Sequence, residues 1–75
     1  MSRENIDFTF IRERIKLTRK TLELSQEMFG KRIGLRRQDI YNIETGKRQP
    51  GLTVLYRLSV EFNVSLDWLV LGNRE

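Results

Sequence analysis

The chain has 75 residues, 14 Lys and Arg against 10 Asp and Glu, a formal net charge of +4, and neither Cys nor His. That composition excludes a disulfide framework, thiolate or imidazole metal sites, and histidine acid–base chemistry. No apolar run approaches the roughly 18 residues of a membrane span and the N-terminus lacks a signal-peptide core, so the chain reads as one cytoplasmic domain. A chain this short buries only about 60% of its unfolded surface, which keeps its core small and favours oligomerisation.

Residues 1–6 are largely polar with one Ile and read as a flexible N-terminal tail. Asp7 or Thr9 then caps a first helix, in which Phe8, Ile11, Ile15, Thr18 and Leu22 recur at helical spacing and form its core face. Arg12, Arg14, Lys16 and Lys20 coat the outside, with one or two of them in reach of phosphate. Ser25 is a good N-cap for a second helix, and Glu27 in its first turn suits the helix dipole. Phe29 and Ile33 lie four apart on one face of that helix, and Gly34 ends it. Gly30, on the same helix, permits close backbone approach.

A third helix runs from about Arg37 to Thr45, with Ile40 and Ile43 inward and Gly46 as its stop. Only Gly34, Leu35 and Arg36 separate it from the second helix. So short a connection forces a sharp crossing, the geometry of a helix-turn-helix. Arg37, Gln38, Tyr41 and Asn42 face away from the isoleucines. Any exposed helix face is polar, but these side chains make directional contacts: Arg grips guanine and Gln or Asn pairs with adenine in the major groove. Between Arg12 and Arg48 stand 11 Lys and Arg against 5 Asp and Glu, a local net of +6 that suits a phosphate binder. Asp39 faces the same side, where a carboxylate rejects phosphate or accepts from cytosine.

Lys47, Arg48 and Gln49 form a loop closed by Pro50, which bars helix extension back through Gln49. Gly51 or Thr53 begins a fourth helix with Leu52, Leu55, Leu58 and Phe62 inward, and Asn63 ends it. Ser65 caps a fifth helix, and Asp67 sits near its start. The run Trp68, Leu69, Val70 and Leu71 is too apolar for one small core to bury entirely, so part of it is expected on the surface.

The stretch from Ser25 to Gly46 resembles the Cro and lambda-repressor family (Cro/C1-type, XRE-like) of helix-turn-helix DNA-binding domains. The resemblance runs through Ile43, Glu44, Gly46, Lys47, Arg48 and Pro50, similar to I-E-x-G-K-x-x-P, and through Val64, Ser65, Trp68 and Leu69, similar to V-S-x-x-W-L. It covers roughly residues 11–72. It implies an all-α, compact five-helix domain with the helix-turn-helix at helices 2 and 3, and a repressor that binds double-stranded DNA. The expected base-reading residues are Arg37, Gln38, Asn42 and Tyr41; Gln26, Arg36, Lys47 and Arg48 contact phosphate. The resemblance further implies an Arg19–Glu44 ion pair, and a homodimer on a pseudo-palindromic operator with Trp68, Val70 and Leu71 at its surface. It implies no cofactor or metal, and a cytoplasmic protein encoded by a bacterium or phage. With neither His, Cys nor converging carboxylates, an enzyme is not expected. The alternative is an antitoxin-like or other protein-interaction module of the same fold. Departures are Thr18 for leucine and Glu23 for glycine, which Leu17 and Leu22 would offset; Arg36 for a Ser or Thr cap; and Asn63 for glycine.

Overall fold

The computed structural model describes residues 6–72; the expected tail, apart from Ile6, lies outside them. Among the described residues there are five helices and no strand: α1 Phe8–Thr21, α2 Gln26–Arg32, α3 Arg37–Glu44, α4 Leu52–Phe62 and α5 Leu66–Leu71. None is long and apolar enough to cross a membrane. The caps explain the boundaries. Asp7 accepts from the Thr9 N–H, Ser25 from Met28 and Ser65 from Trp68, each satisfying a first-turn donor that has no partner within its helix. The Thr9 backbone and side-chain hydrogen bonds, with Arg12 nearby, hold the exposed Asp7 carboxyl below its ordinary value of 3.8.

The core is Ile11 and Ile15 from α1, Phe29 from α2, Ile33 at its end, Ile40 and Ile43 from α3, Val54, Leu55 and Leu58 from α4, and Leu69 from α5. Phe62 stacks on Phe29, with ring centroids 4.9 Å apart, and joins the end of α4 to α2. Thr18 is buried as expected, its hydroxyl satisfied by the Arg14 carbonyl at 2.9 Å.

Two inward assignments are corrected. Leu22 is not on the core face of α1: the helix stops at Thr21, Leu22 becomes the exposed C-cap, and Glu23 turns the chain at φ 58°. Leu24 packs against the core instead, while Leu17 stays exposed and offsets nothing. Leu52 is 78% exposed, and Val54 is buried in its stead. At about 100° per residue, the α4 stripe of Val54, Leu55, Leu58 and Phe62 leaves Leu52 roughly a quarter-turn away. Asn63 does adopt the left-handed conformation, at φ 57°.

Gly30 sets the α2–α3 crossing. A Cβ there would meet the Leu35 carbonyl oxygen at 2.6 Å and Ile40 Cγ1 at 3.1 Å. With hydrogen in that place, the turn folds tightly back, and the Leu35 N–H donates to the Gly30 carbonyl at 2.8 Å. The resulting short, sharp turn delivers α3 with one face on the core and the opposite face free.

Candidate nucleic-acid interface

The start of α3 lacks the usual cap, because a guanidinium has no acceptor with which Arg36 could receive a first-turn N–H. The reverse half of a capping box is present: Asp39 Oδ2 accepts the Arg36 backbone N–H at 3.0 Å. Asp39 therefore has a structural part that the sequence reading missed, although an acid three residues after an N-cap was the signal for it. At the other end, Gly46 turns the chain at φ 86°, and the Lys47 and Arg48 N–H groups both return to the Asn42 carbonyl, at 2.8 and 3.0 Å. That wrap lays the Lys47–Arg48 loop beside α3.

Ile40 and Ile43 point inward and Arg37, Gln38 and Tyr41 are exposed, with Asn42 half-buried at the edge. Gln38 and Asn42 meet: Gln38 Nε2 donates to Asn42 Oδ1 at 3.1 Å. Lys47 Nζ stands 5.2 Å from the centre of the Tyr41 ring, and Arg48 Nη1 lies 3.1 Å from Asp39 Oδ1. The Arg36 side chain is 90% exposed, with its Nε 3.9 Å from Asp39 Oδ2. The structure thus leaves Arg36, Arg37, Gln38, Tyr41, Lys47 and Arg48 exposed and Asn42 half-buried on α3 and its flanking turns; Gln38 meets Asn42, Lys47 approaches Tyr41 and Arg48 reaches Asp39, while Arg36 and Arg37 line a cleft with Glu27 and Lys31 of α2.

Behind this face lies a buried polar junction. Arg19 grips Glu44 with Nε at 2.7 Å and Nη2 at 3.0 Å, and its Nη1 donates to the Leu24 carbonyl at 3.0 Å. Gln26 completes it, donating from Nε2 to Glu44 Oε1 at 3.0 Å. Three helices meet at one carboxylate. The ion pair stands where it was expected, and it also engages Gln26, so only the second amide N–H of Gln26 remains for a phosphate.

Basic residues of α1 and α4 do further structural work that spacing did not reveal. Arg14 Nη1 donates to the Leu69 carbonyl at the end of α5, and Arg57 Nη1 to the Ile33 carbonyl at the end of α2. Both supply donors to helix C-termini that lack intrahelical ones. In the apolar run of α5, Leu69 is fully buried and Trp68 half-buried, whereas Val70 and Leu71 are exposed. The run is split between two surface clefts: Trp68 lines one with Leu17 and Leu22, while Val70 and Leu71 line another with Ile6 and Phe10.

A short-turned helix pair with its second helix polar on the free side, inside a five-helix shell, defines the lambda-repressor-like helix-turn-helix class. The helix-turn-helix family model matches residues 15–69, and the chain belongs to that family. It is 34% identical over 65 residues to an uncharacterised HTH-type transcriptional regulator of Archaeoglobus fulgidus, covering 87% of this chain and 92% of that protein. A similar regulator of Methanocaldococcus jannaschii is 32% identical over 57 residues, covering 76% and 86%. Among solved structures, the P22 c2 repressor in complex with a synthetic operator superposes with a TM-score of 0.76 at 31% identity, over 85% of this chain and 97% of that one. These relatives are HTH-type transcriptional regulators and a repressor.

Proposed function

We propose that the chain is a sequence-specific transcriptional repressor that inserts the N-terminal end of α3 into the major groove of duplex DNA. The observation that carries this is the free face of α3. Gln38 and Asn42 meet there, Tyr41 lies beside Lys47, and Arg36, Arg37 and Arg48 are exposed at the start of the helix and in the loop after it. Gln38 and Asn42 act as a pair, whose remaining amide groups meet base edges, while Arg37 grips guanine. Tyr41 packs on a thymine methyl or meets phosphate. On the correct site Arg36, Lys47, Arg48 and Gln26 hold the backbone and set register, contacts that carry no base information themselves. The P22 c2 structure, a protein of this fold crystallised with operator, supports the assignment.

Two copies would bind a pseudo-palindromic operator through exposed apolar side chains of α5, Val70 and Leu71, with Trp68 at the margin. Selection from a random duplex library, with sedimentation of the complex, tests the reading. The expected result is one enriched palindromic motif bound at two chains per duplex. No enrichment, or binding unaffected by Gln38→Ala and Arg37→Ala at fixed salt, would reject it. The second reading, a protein-interaction module, draws on the clustering of Ile6, Phe10, Val70 and Leu71, of which Leu71 is 68% exposed. Co-purification of a stoichiometric protein that occludes α3 would favour that reading.

A further inference from the structure

The proposed DNA contacts leave one group on the first turn of α3 unused, the carboxylate of Asp39. The other acid of α3, Glu44, is turned inward with a side chain only 2% exposed, so Asp39 is the negative charge of that helix that an approaching phosphate meets. Its two oxygens are committed differently. Oδ2 accepts the Arg36 N–H at 3.0 Å, which keeps the carboxylate at the positive end of the helix. Oδ1 takes Arg48 Nη1 at 3.1 Å, and the Arg36 Nε lies 3.9 Å from Oδ2. Arg48 thus has a carboxylate partner within its own chain, in a pair whose side chains are 42% and 21% exposed, whereas among the described residues Lys47, its neighbour on the same loop, faces the Tyr41 ring.

We propose, on the reading that α3 binds duplex DNA, that Asp39 is a specificity determinant: by holding Arg48, it withholds one cation from sequence-independent binding. A guanidinium paired with an internal carboxylate releases no counterion when DNA arrives, and counterion release drives essentially all non-specific affinity. A phosphate takes Arg48 only by displacing Asp39, which stays anchored by the Arg36 N–H and faces the phosphate as a like charge. On a correct site the base contacts of α3 hold the duplex close enough for this exchange. On arbitrary duplex they do not form, the Asp39–Arg48 pair stays closed, and that contact is lost.

The test is fluorescence anisotropy of the whole chain on a library-selected site and on a random duplex, over a salt series. The native chain should show a salt slope steeper by about 0.9 on the selected site than on random duplex. Asp39→Asn removes the charge but keeps an oxygen for the Arg36 N–H. It should tighten binding to random duplex roughly fivefold at about 0.15 M salt, steepen that slope by about 0.9 and close the gap between the two sites. In an Arg48→Ala background the same substitution should gain much less. Equal gains in both backgrounds would mean a general field effect and overturn the proposal. So would an unchanged random-duplex slope, or a changed base preference without a changed slope, which would make Asp39 a base contact. Circular dichroism verifies that Asp39→Asn folds; should it not, the Arg48→Ala chain carries the test, because its random-duplex slope must then equal that of the native chain. If the native chain binds neither duplex, the DNA-binding reading falls together with this one; if it binds and Asp39→Asn changes nothing, only this one falls.

Discussion

Two arginine–glutamate pairs in this molecule have almost the same shortest contact, 2.7 Å for Arg19–Glu44 and 2.6 Å for Arg32–Glu61. Their surroundings differ completely. Arg19 and Glu44 side chains are 13% and 2% exposed, and both have further partners in the Leu24 carbonyl and Gln26. Arg32 and Glu61 side chains are 45% and 38% exposed. Distance therefore says little about what a pair does. Burial converts the first into a fixed joint among α1, α2 and α3, because neither partner has water to replace the other. Solvent leaves the second exchangeable.

The sharpest way to break this comparison is Glu44→Ala, which strands a nearly buried guanidinium. It should cost about 3–5 kcal/mol of stability in chemical denaturation, and a double-mutant cycle with Arg19→Ala should be strongly non-additive. Additive losses would mean that burial confers no coupling. Next comes Gln38→Ala on the exposed face. It should cost about 1–3 kcal/mol in binding the selected duplex, concentrated at one base pair, while stability changes by less than about 0.5 kcal/mol. Arg32→Ala should cost no more than about 1 kcal/mol, including its stacking over the Phe62 ring at 5.0 Å. A loss as large as that of Glu44→Ala would show that contact distance decides after all. The smallest effect should be a gain. Glu23→Gly relieves a non-glycine residue at φ 58° and should stabilise the fold by somewhat less than about 1 kcal/mol, read as a higher melting temperature.

The helices were legible because their signals are local. Ser25 and Ser65 cap as their types require, and Gly34 and Gly46 take positive φ values where the chain must turn. The candidate interface was largely legible too. Ile40 and Ile43 mark the inner side of α3, so Gln38 and Asn42 lie towards the outer one, while Arg37, three residues before Ile40, is exposed because it opens the helix. What failed were places where an end effect overrode periodicity. Leu22 obeys the α1 spacing but falls beyond the last helical residue, and Leu52 opens α4 before its stripe has rotated inward. The second part of Gln26, on Glu44, was equally hidden, as was the link from Asp39 to Arg48.

By itself, then, the order of residues settled the number and order of the helices, the caps of α2 and α5 and which side of α3 faces the core, since capping, turning and amphipathic spacing act over a few neighbours. The tertiary structure alone decided which charges are spent internally. Arg14 reaches Leu69, Arg57 reaches Ile33, and Arg48 reaches Asp39 only once the helices have packed. Long flexible side chains choose partners by proximity in space, and that proximity is created by the core and not by the spacing of the charges along the chain.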